Sequence, residues 1–255
     1  MQACRDANYE LLIHPCNYRN ADLDDNIRAL IEQARPAGIV LAAPLSNMPK
    51  VADSIEATGT PFVRLSPGGT NGKQLAIATN DREISAEMTR YLASLGHTKI
   101  AFIKGRESHQ AVANRFDGYR DGLEESGLDY DERWVAEGDQ SFESGCECAK
   151  TLLELDDRPT AIFAANDDMA VAVIHVADSM GIKIPSQLSV AGFDDIALAR
   201  QVFPTLTTIR QPLSKMSEQA AKYLIEGKCG SEEGVETDVV PASLMIREST
   251  GPAPA

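Results

Sequence analysis

Residues 159–195 read PTAIFAANDDMAVAVIHVADSMGIKIPSQLSVAGFDD. Within them 160–164 is an apolar run of strand length, and Asn166, Asp167 and Asp168 follow it at once. Met169, Val173, Val176 and Met180 then recur at helical spacing, and Gly181 stands where a helix needs a left-handed closing residue. A second strand, 188–193, ends in Asp194 and Asp195. Strand, helix and strand in succession make a parallel pair, so both strands carry polar residues just past their carboxyl ends. That rim is where open α/β sheets hold small ligands. Asn and Asp side chains there accept and donate several hydrogen bonds, which suits a hydroxyl-rich molecule.

The same alternation runs outward through the chain. Strands are expected at 11–14, 38–42, 61–65, 99–103, 134–137, 161–164, 188–192 and 206–209, and helices near 22–34, 83–95, 115–126, 144–155 and 169–180. The helix at 83–95 has the clearest stripe, Ile84, Met88, Leu92 and Leu95, and Gly96 closes it. The pattern predicts an α/β protein of doubly wound parallel sheets with helices on both faces. Eight or nine strands are many for one such sheet, so two are expected, with a boundary where KGRESH (104–109) breaks the apolar pattern. After Ile209, RQP leads into a helix at 214–226, a loop GKCGSEEG, and a last extended segment at 237–247. The tail STGPAPA is expected to fray.

Composition narrows the function classes. The 255 residues carry 43% hydrophobic and 24% charged side chains, ordinary for a globular protein. No apolar run is long enough for a membrane span, and no basic-then-apolar start marks a signal peptide. Five scattered cysteines fit a reducing cytoplasm better than a disulfide framework. A net charge of −14, with no basic stripe, leaves nothing to neutralise DNA phosphates. GGTNGK (68–73) lacks the spacing and the Ser or Thr of a phosphate loop. Cys146 and Cys148, two apart on a helix, point in different directions and make no metal pair. No nucleophile–base set assembles, and neither a metal nor a cofactor is expected.

Six motifs, in order and spread over nearly the whole chain, carry a resemblance: GHTKIAFI (96–103), NRFDGYRDGLEESG (114–127), GDQSFESG (138–145), PTAIFAANDDMA (159–170), IPSQLSVAGFDD (184–195) and PTLTTIRQP (204–212). Together they resemble the effector-binding core of the LacI/GalR transcriptional regulators. The resemblance implies a fold of the type I periplasmic-binding-protein kind: two α/β subdomains joined by three crossovers, with ligand in the cleft and a homodimeric assembly. The crossings are expected near 104–106, 210–212 and 230–235. That places 1–104 plus 212–231 in one subdomain, 105–211 plus 232–250 in the other, and 251–255 in the frayed tail. It also implies that operator DNA is reached only through a headpiece outside this chain. The first strand of the sensor domain is expected upstream too, since MQACRDANYELL reads as the second half of the helix that follows it.

The resemblance also nominates site residues. Arg115 matches the family's effector-binding arginine, and its five donors suit vicinal hydroxyls or a carboxylate; a surface salt bridge to Asp117 or Asp121 is the alternative. Asp194 matches the ligand-binding acid, with a cap of the following helix as its alternative. Asn166 sits at a matching ligand position, leaving Asp167 or Asp168 to cap the helix. Gln140 stands where many relatives carry a stacking aromatic, with Phe142 two residues on, either turned to the ligand or in the core. Arg64 ends the strand PFVRL, Ser46 lies in the loop APLSN, and His109 precedes Arg115 where the purine-binding relative touches ligand. The expected effector is a carbohydrate, with a lean towards glucosides or oligosaccharides. A periplasmic sugar-binding protein of the same fold and a sugar-processing enzyme are the rival readings.

Overall fold

The computed structural model describes residues 2–67, 75–106, 110–229 and 237–254. In chain order its elements are α1 (Gln2–Asp6), α2 (Leu23–Ala34), β1 (Ile39–Leu41), α3 (Pro49–Glu56), β2 (Phe62–Leu65), β3 (Ala76–Ala78), α4 (Asp81–Ser94), β4 (Ile100–Lys104), α5 (Gln110–Glu125), β5 (Val135–Glu137), α6 (Phe142–Leu153), β6 (Ala161–Ala164), α7 (Asp167–Ser179), β7 (Ser189–Asp194), β8 (Thr207–Arg210), α8 (Leu213–Ile225), β9 (Thr237–Val239) and β10 (Ser243–Met245). The chain divides into two units. No described helix is long and apolar enough to cross a membrane.

The second unit runs from Asn80 to Gln211, apart from a short stretch around residue 109, and resumes at Pro241. Its sheet has the order β10-β8-β7-β6-β4-β5, parallel except where β10 meets β8. Strands buried on both faces read as continuous apolar runs, and Ile100–Ile103 and Ala161–Ala164 are wholly buried. Phe102 packs on Phe163 edge to face and stacks on Tyr119, whose hydroxyl donates to Ile100 O. Small residues let the helices close up. A Cβ on Gly118 would stand 2.1 Å from the backbone oxygen of Arg82, where α5 meets α4, and one on Gly145 would stand 2.7 Å from Met169 Cα, where α6 meets α7. Gly118→Ala should therefore force α4 and α5 apart and lower stability by about 1–3 kcal/mol, the usual cost of overpacking. Urea denaturation checks it, and an unchanged midpoint would contradict the close approach.

The first unit holds a parallel four-stranded sheet of order β1-β2-β3-β9. One core forms from Leu23, Ile27 and Ile31 of α2 with Val51 and Ile55 of α3 and Phe62. A second joins Val63 and Ile77 to Met216 and Ala220 of α8.

Several expectations change. Residues 11–14 form no strand: Leu12 and Ile13 are 74% and 83% exposed. An apolar run makes a strand only when a neighbour pairs with it, and among the described residues β1 pairs with β2 alone. Residues 80–104 belong to the second unit rather than the first, because β4 lies between β5 and β6. The segment 237–247 is two strands in different sheets, with β9 beside β3 in the first unit. The stretch around residue 109 apart, the chain passes between units at Thr79–Asn80, Gln211–Pro212 and Val240–Pro241, where crossings were expected near 104–106, 210–212 and 230–235. The tail does not fray. Gly251 O accepts from the buried His97 ring, Gly251 N–H donates to Ser189, and Ala253 N–H donates to Leu95 O. Burial holds the His97 imidazole below its ordinary pKa, against the hydrogen bond to Gly251. His109, the GGTNGK turn and the expected third crossing at 230–235 lie outside the described residues.

Candidate functional site

The carboxyl ends of β6, β7 and β8 bring together the polar residues of the second unit. Arg115, on α5, is 5% exposed. Its Nε donates to Asp81 Oδ1 at 2.9 Å, its Nη1 donates to Ala165 O at 2.6 Å, and its guanidinium lies 3.6 Å over the Phe193 ring. Neither Asp117 nor Asp121 is its partner; Asp121 pairs with Arg82. Nη1 also stands 3.7 Å from Asp194 Oδ1. Nη2 makes no hydrogen bond among the described residues, so one donor face is left over.

Asp194 and Asp195 close β7 with φ of 117° and 56°, and Gln140 has φ 72°. These are half of the six non-glycine residues with positive φ among the described residues. Such backbone is costly and collects at ligand-holding loops. Asp194 Oδ1 accepts from Gln211 Nε2, and Oδ2 has no partner among the described residues. Burial pushes its carboxyl above the usual range, while the Arg115 charge draws it down. Asp194 does not cap the short helix that follows. Asp167 Oδ2 takes the Ile196 N–H at 2.9 Å instead, and Asp167 Oδ1 accepts from Thr208 Oγ1 at 2.5 Å. Burial raises Asp167 to about 7. Asp195 is the hub of three arginines, Arg200, Arg210 and Arg247. Burial pushes its carboxyl up, but the hydrogen bonds from Arg210 and Arg247 outweigh that and hold it below the usual range.

Asn166, 6% exposed, is itself the cap of α7. Its Oδ1 accepts from Met169 N–H and its Nδ2 donates to Gln140 O. The cap expected of Asp167 or Asp168 thus falls one or two residues earlier. Gln140 turns its side chain towards Gly105. Phe142 packs against the core with its ring 5.7 Å from that of His175. Trp134 is buried, and its Nε1 donates to Asp157 O. In the first unit Arg64 Nε donates to Ser46 O at 2.8 Å, and the buried Ser46 Oγ has no partner among the described residues. A surface depression of about 520 Å³ lies elsewhere in the second unit, lined by Arg82, Arg120, Asp121 and Tyr130 among others. Both of its arginines are already engaged, Arg82 by Asp121 and Arg120 by the Tyr130 ring, so it is the weaker candidate.

Asp81 and Gln211 are the site residues that sequence reasoning missed. Asp81 reads from sequence as a first-turn helix acid, and no local pattern pairs position 81 with 115 or 211 with 194.

Residues 89–250 match the family model for a periplasmic binding protein-like domain. The HTH-type transcriptional regulator DegA of Bacillus subtilis is 33% identical over 88% of this chain and 67% of its own length. The HTH-type transcriptional repressor PurR of Yersinia enterocolitica is 31% identical over 99% of this chain and 74% of its own length. This chain is a LacI-family effector-binding core. Its LacI-family relatives are transcriptional regulators, not enzymes. Among solved structures, a transcriptional regulator CelR–cellobiose complex matches 97% of this chain and 76% of its own, with a TM-score of 0.87 and 26% identity. A LacI-family regulator from Enterococcus faecium with bound ribose matches 98% and 91%, with a TM-score of 0.84 and 25% identity.

Proposed function

We propose that this LacI-family core binds a carbohydrate, in the class of glucosides or short oligosaccharides, and that binding controls operator recognition by a DNA-binding headpiece in a cytoplasmic homodimer. Arg115 and Asp194 are its principal ligand groups, with Asn166, Gln140 and Phe142 shaping their surroundings. Arg64 and Ser46 are the groups proposed for the first unit, and His109 keeps its place as a candidate from the resemblance. One observation carries the carbohydrate reading. Arg115 is already matched by Asp81 and faces Asp194, so its charge is not spare for a phosphate or carboxylate. What remains is one guanidinium donor and one carboxylate acceptor, the pair that vicinal hydroxyls satisfy. The cellobiose and ribose bound by the two structural relatives support the same class.

Thermal shift against a panel of sugars and purines tests this. A ligand at a hundredfold excess over its Kd adds about 2.7 kcal/mol. For a chain of this size that raises Tm by about 5–10 °C. A shift with a purine and with none of the sugars would overturn the carbohydrate reading.

A further inference from the structure

We infer that Asp81 and Gln211 are positioning residues that tie the proposed effector groups to the three places where the chain passes between its units. This rests on the effector reading of Arg115 and Asp194 and adds to it how those groups communicate with the rest of the chain. The polar contacts form one continuous run inside the second unit. Asn80, the first residue after the Thr79–Asn80 crossing, accepts through Oδ1 from the Ala242 N–H at 2.9 Å. Ala242 is the second residue after the Val240–Pro241 crossing. Asp81, next in the chain, accepts from Arg115 Nε. Arg115 Nη1 faces Asp194 Oδ1, and that oxygen accepts from Gln211 Nε2. Gln211 N–H also donates to Asp194 O at 3.4 Å. Gln211 is the last residue before Pro212 and the remaining crossing.

Each link is local, and the crossings also neighbour one another directly, with Ala242 opposite Gln211 in the β8–β10 register and bonded to Asn80; the run adds a path through the two groups assigned to the ligand. Asp81 and Arg115 are each 5% exposed, so their contact is little screened and rigid packing holds it in place. The loosest link is the 3.7 Å approach of Arg115 to Asp194. A ligand hydroxyl that donates to Asp194 Oδ2 and accepts from Arg115 bridges that gap while Gln211 holds Oδ1 of the same carboxylate. Ligand therefore has different contacts in different arrangements of Gln211, which is what coupling requires. The strained φ of 117° at Asp194 marks the residue on which the run turns.

Amide hydrogen exchange on the full chain, without any ligand, tests the run directly. Gln211→Ala should speed exchange of the Ile84 N–H, which Asn80 O holds, by about tenfold; the Ala242 N–H is too near to serve, because the β8–β10 register sets Gln211 opposite it. By reciprocity Asp81→Asn should speed exchange of the Gln211 N–H, which Asp194 O holds. The Gly251 and Ala253 amides of the same unit, held by Ser189 and Leu95, should be unchanged in both variants, which separates a transmitted effect from general loosening. Changes confined to each variant's own neighbours, or equal at Gly251 and Ala253, would overturn the inference. In a second arm, calorimetry with cellobiose should show Gln211→Ala weakening binding at least fivefold. Should neither cellobiose nor any panel sugar bind the wild type, the effector reading fails, while the exchange arm still decides the run.

Discussion

Replacing Arg115 by alanine should lower the unfolding free energy of the second unit by about 3–5 kcal/mol, because it takes from a buried carboxylate the arginine it is paired with. At a helix start beside a loop, the arginine reads from sequence as a group that can be removed without harm to the fold. Burial reverses that expectation. The guanidinium is the counter-charge of Asp81, the donor to Ala165 O and the cover of the Phe193 ring. Alanine removes the arginine from the Asp81 carboxylate and the donor from the carbonyl together, and opens a cavity over the ring. Trp134, the chain's one tryptophan, lies buried in the same unit and reports its unfolding. Pairing Arg115→Met with Asp81→Leu should recover much of the loss, since removing both charges costs far less than removing one. A single substitution that costs under about 1 kcal/mol would show that the pair is not desolvated as described. Ligand binding is therefore better probed through Asp194 and Gln211 than through Arg115→Ala.

The second large effect is a dependence on pH centred on Asp167. Burial lifts its carboxyl to about 7, against the hydrogen bonds from Thr208 and Ile196. In the unfolded chain it titrates near its ordinary value of about 4. Between these two values the folded protein holds a proton that the unfolded chain has released. Stability from this group is therefore full below pH 4, falls by up to about 1.4 kcal/mol per pH unit as pH rises towards 7, and levels off above. Asp167→Asn mimics the protonated form, with its amide facing Thr208 and its oxygen facing Ile196 N–H. Its stability relative to wild type should therefore climb steadily from pH 4 to pH 7. Comparing the two urea-denaturation profiles removes the contribution of every other carboxylate. Parallel profiles across that window would show that Asp167 does not titrate there. Because Asp167 holds the Ile196 N–H just beyond Asp194, ligand affinity should follow the same window.

Much of the fold was legible because its elements satisfy themselves locally. The strand at 161–164 falls where its apolar run lies, and α4 ends at the glycine that closes its stripe. Elements of three residues, such as β3 and β9, were harder. β3 was missed, and β9 was merged with β10, because a run that short carries no periodicity and exists only through its neighbour's hydrogen bonds. Residues 11–14 show the converse: Leu11, Leu12 and Ile13 have the composition of a strand, yet they are exposed and unpaired. Similar reasoning explains the tail. STGPAPA has no apolar pattern, but the His97 ring and the Ser189 hydroxyl meet its backbone from distant parts of the chain.

Sequence by itself determined the α/β class, the family, and the residue types at the ends of the strands. Motif order and apolar spacing are properties of the linear chain, and relatives preserve them. Tertiary structure alone decided what those residues do. Asp167, Asp194 and Asp195 stand within one polar stretch, yet one is a buried latch, one is the acid facing Arg115 and one is an arginine hub. Arg200 apart, their partners lie between 15 and 79 positions away. Burial and the charge of such distant neighbours set a carboxylate's role, and neither is written in the residues beside it.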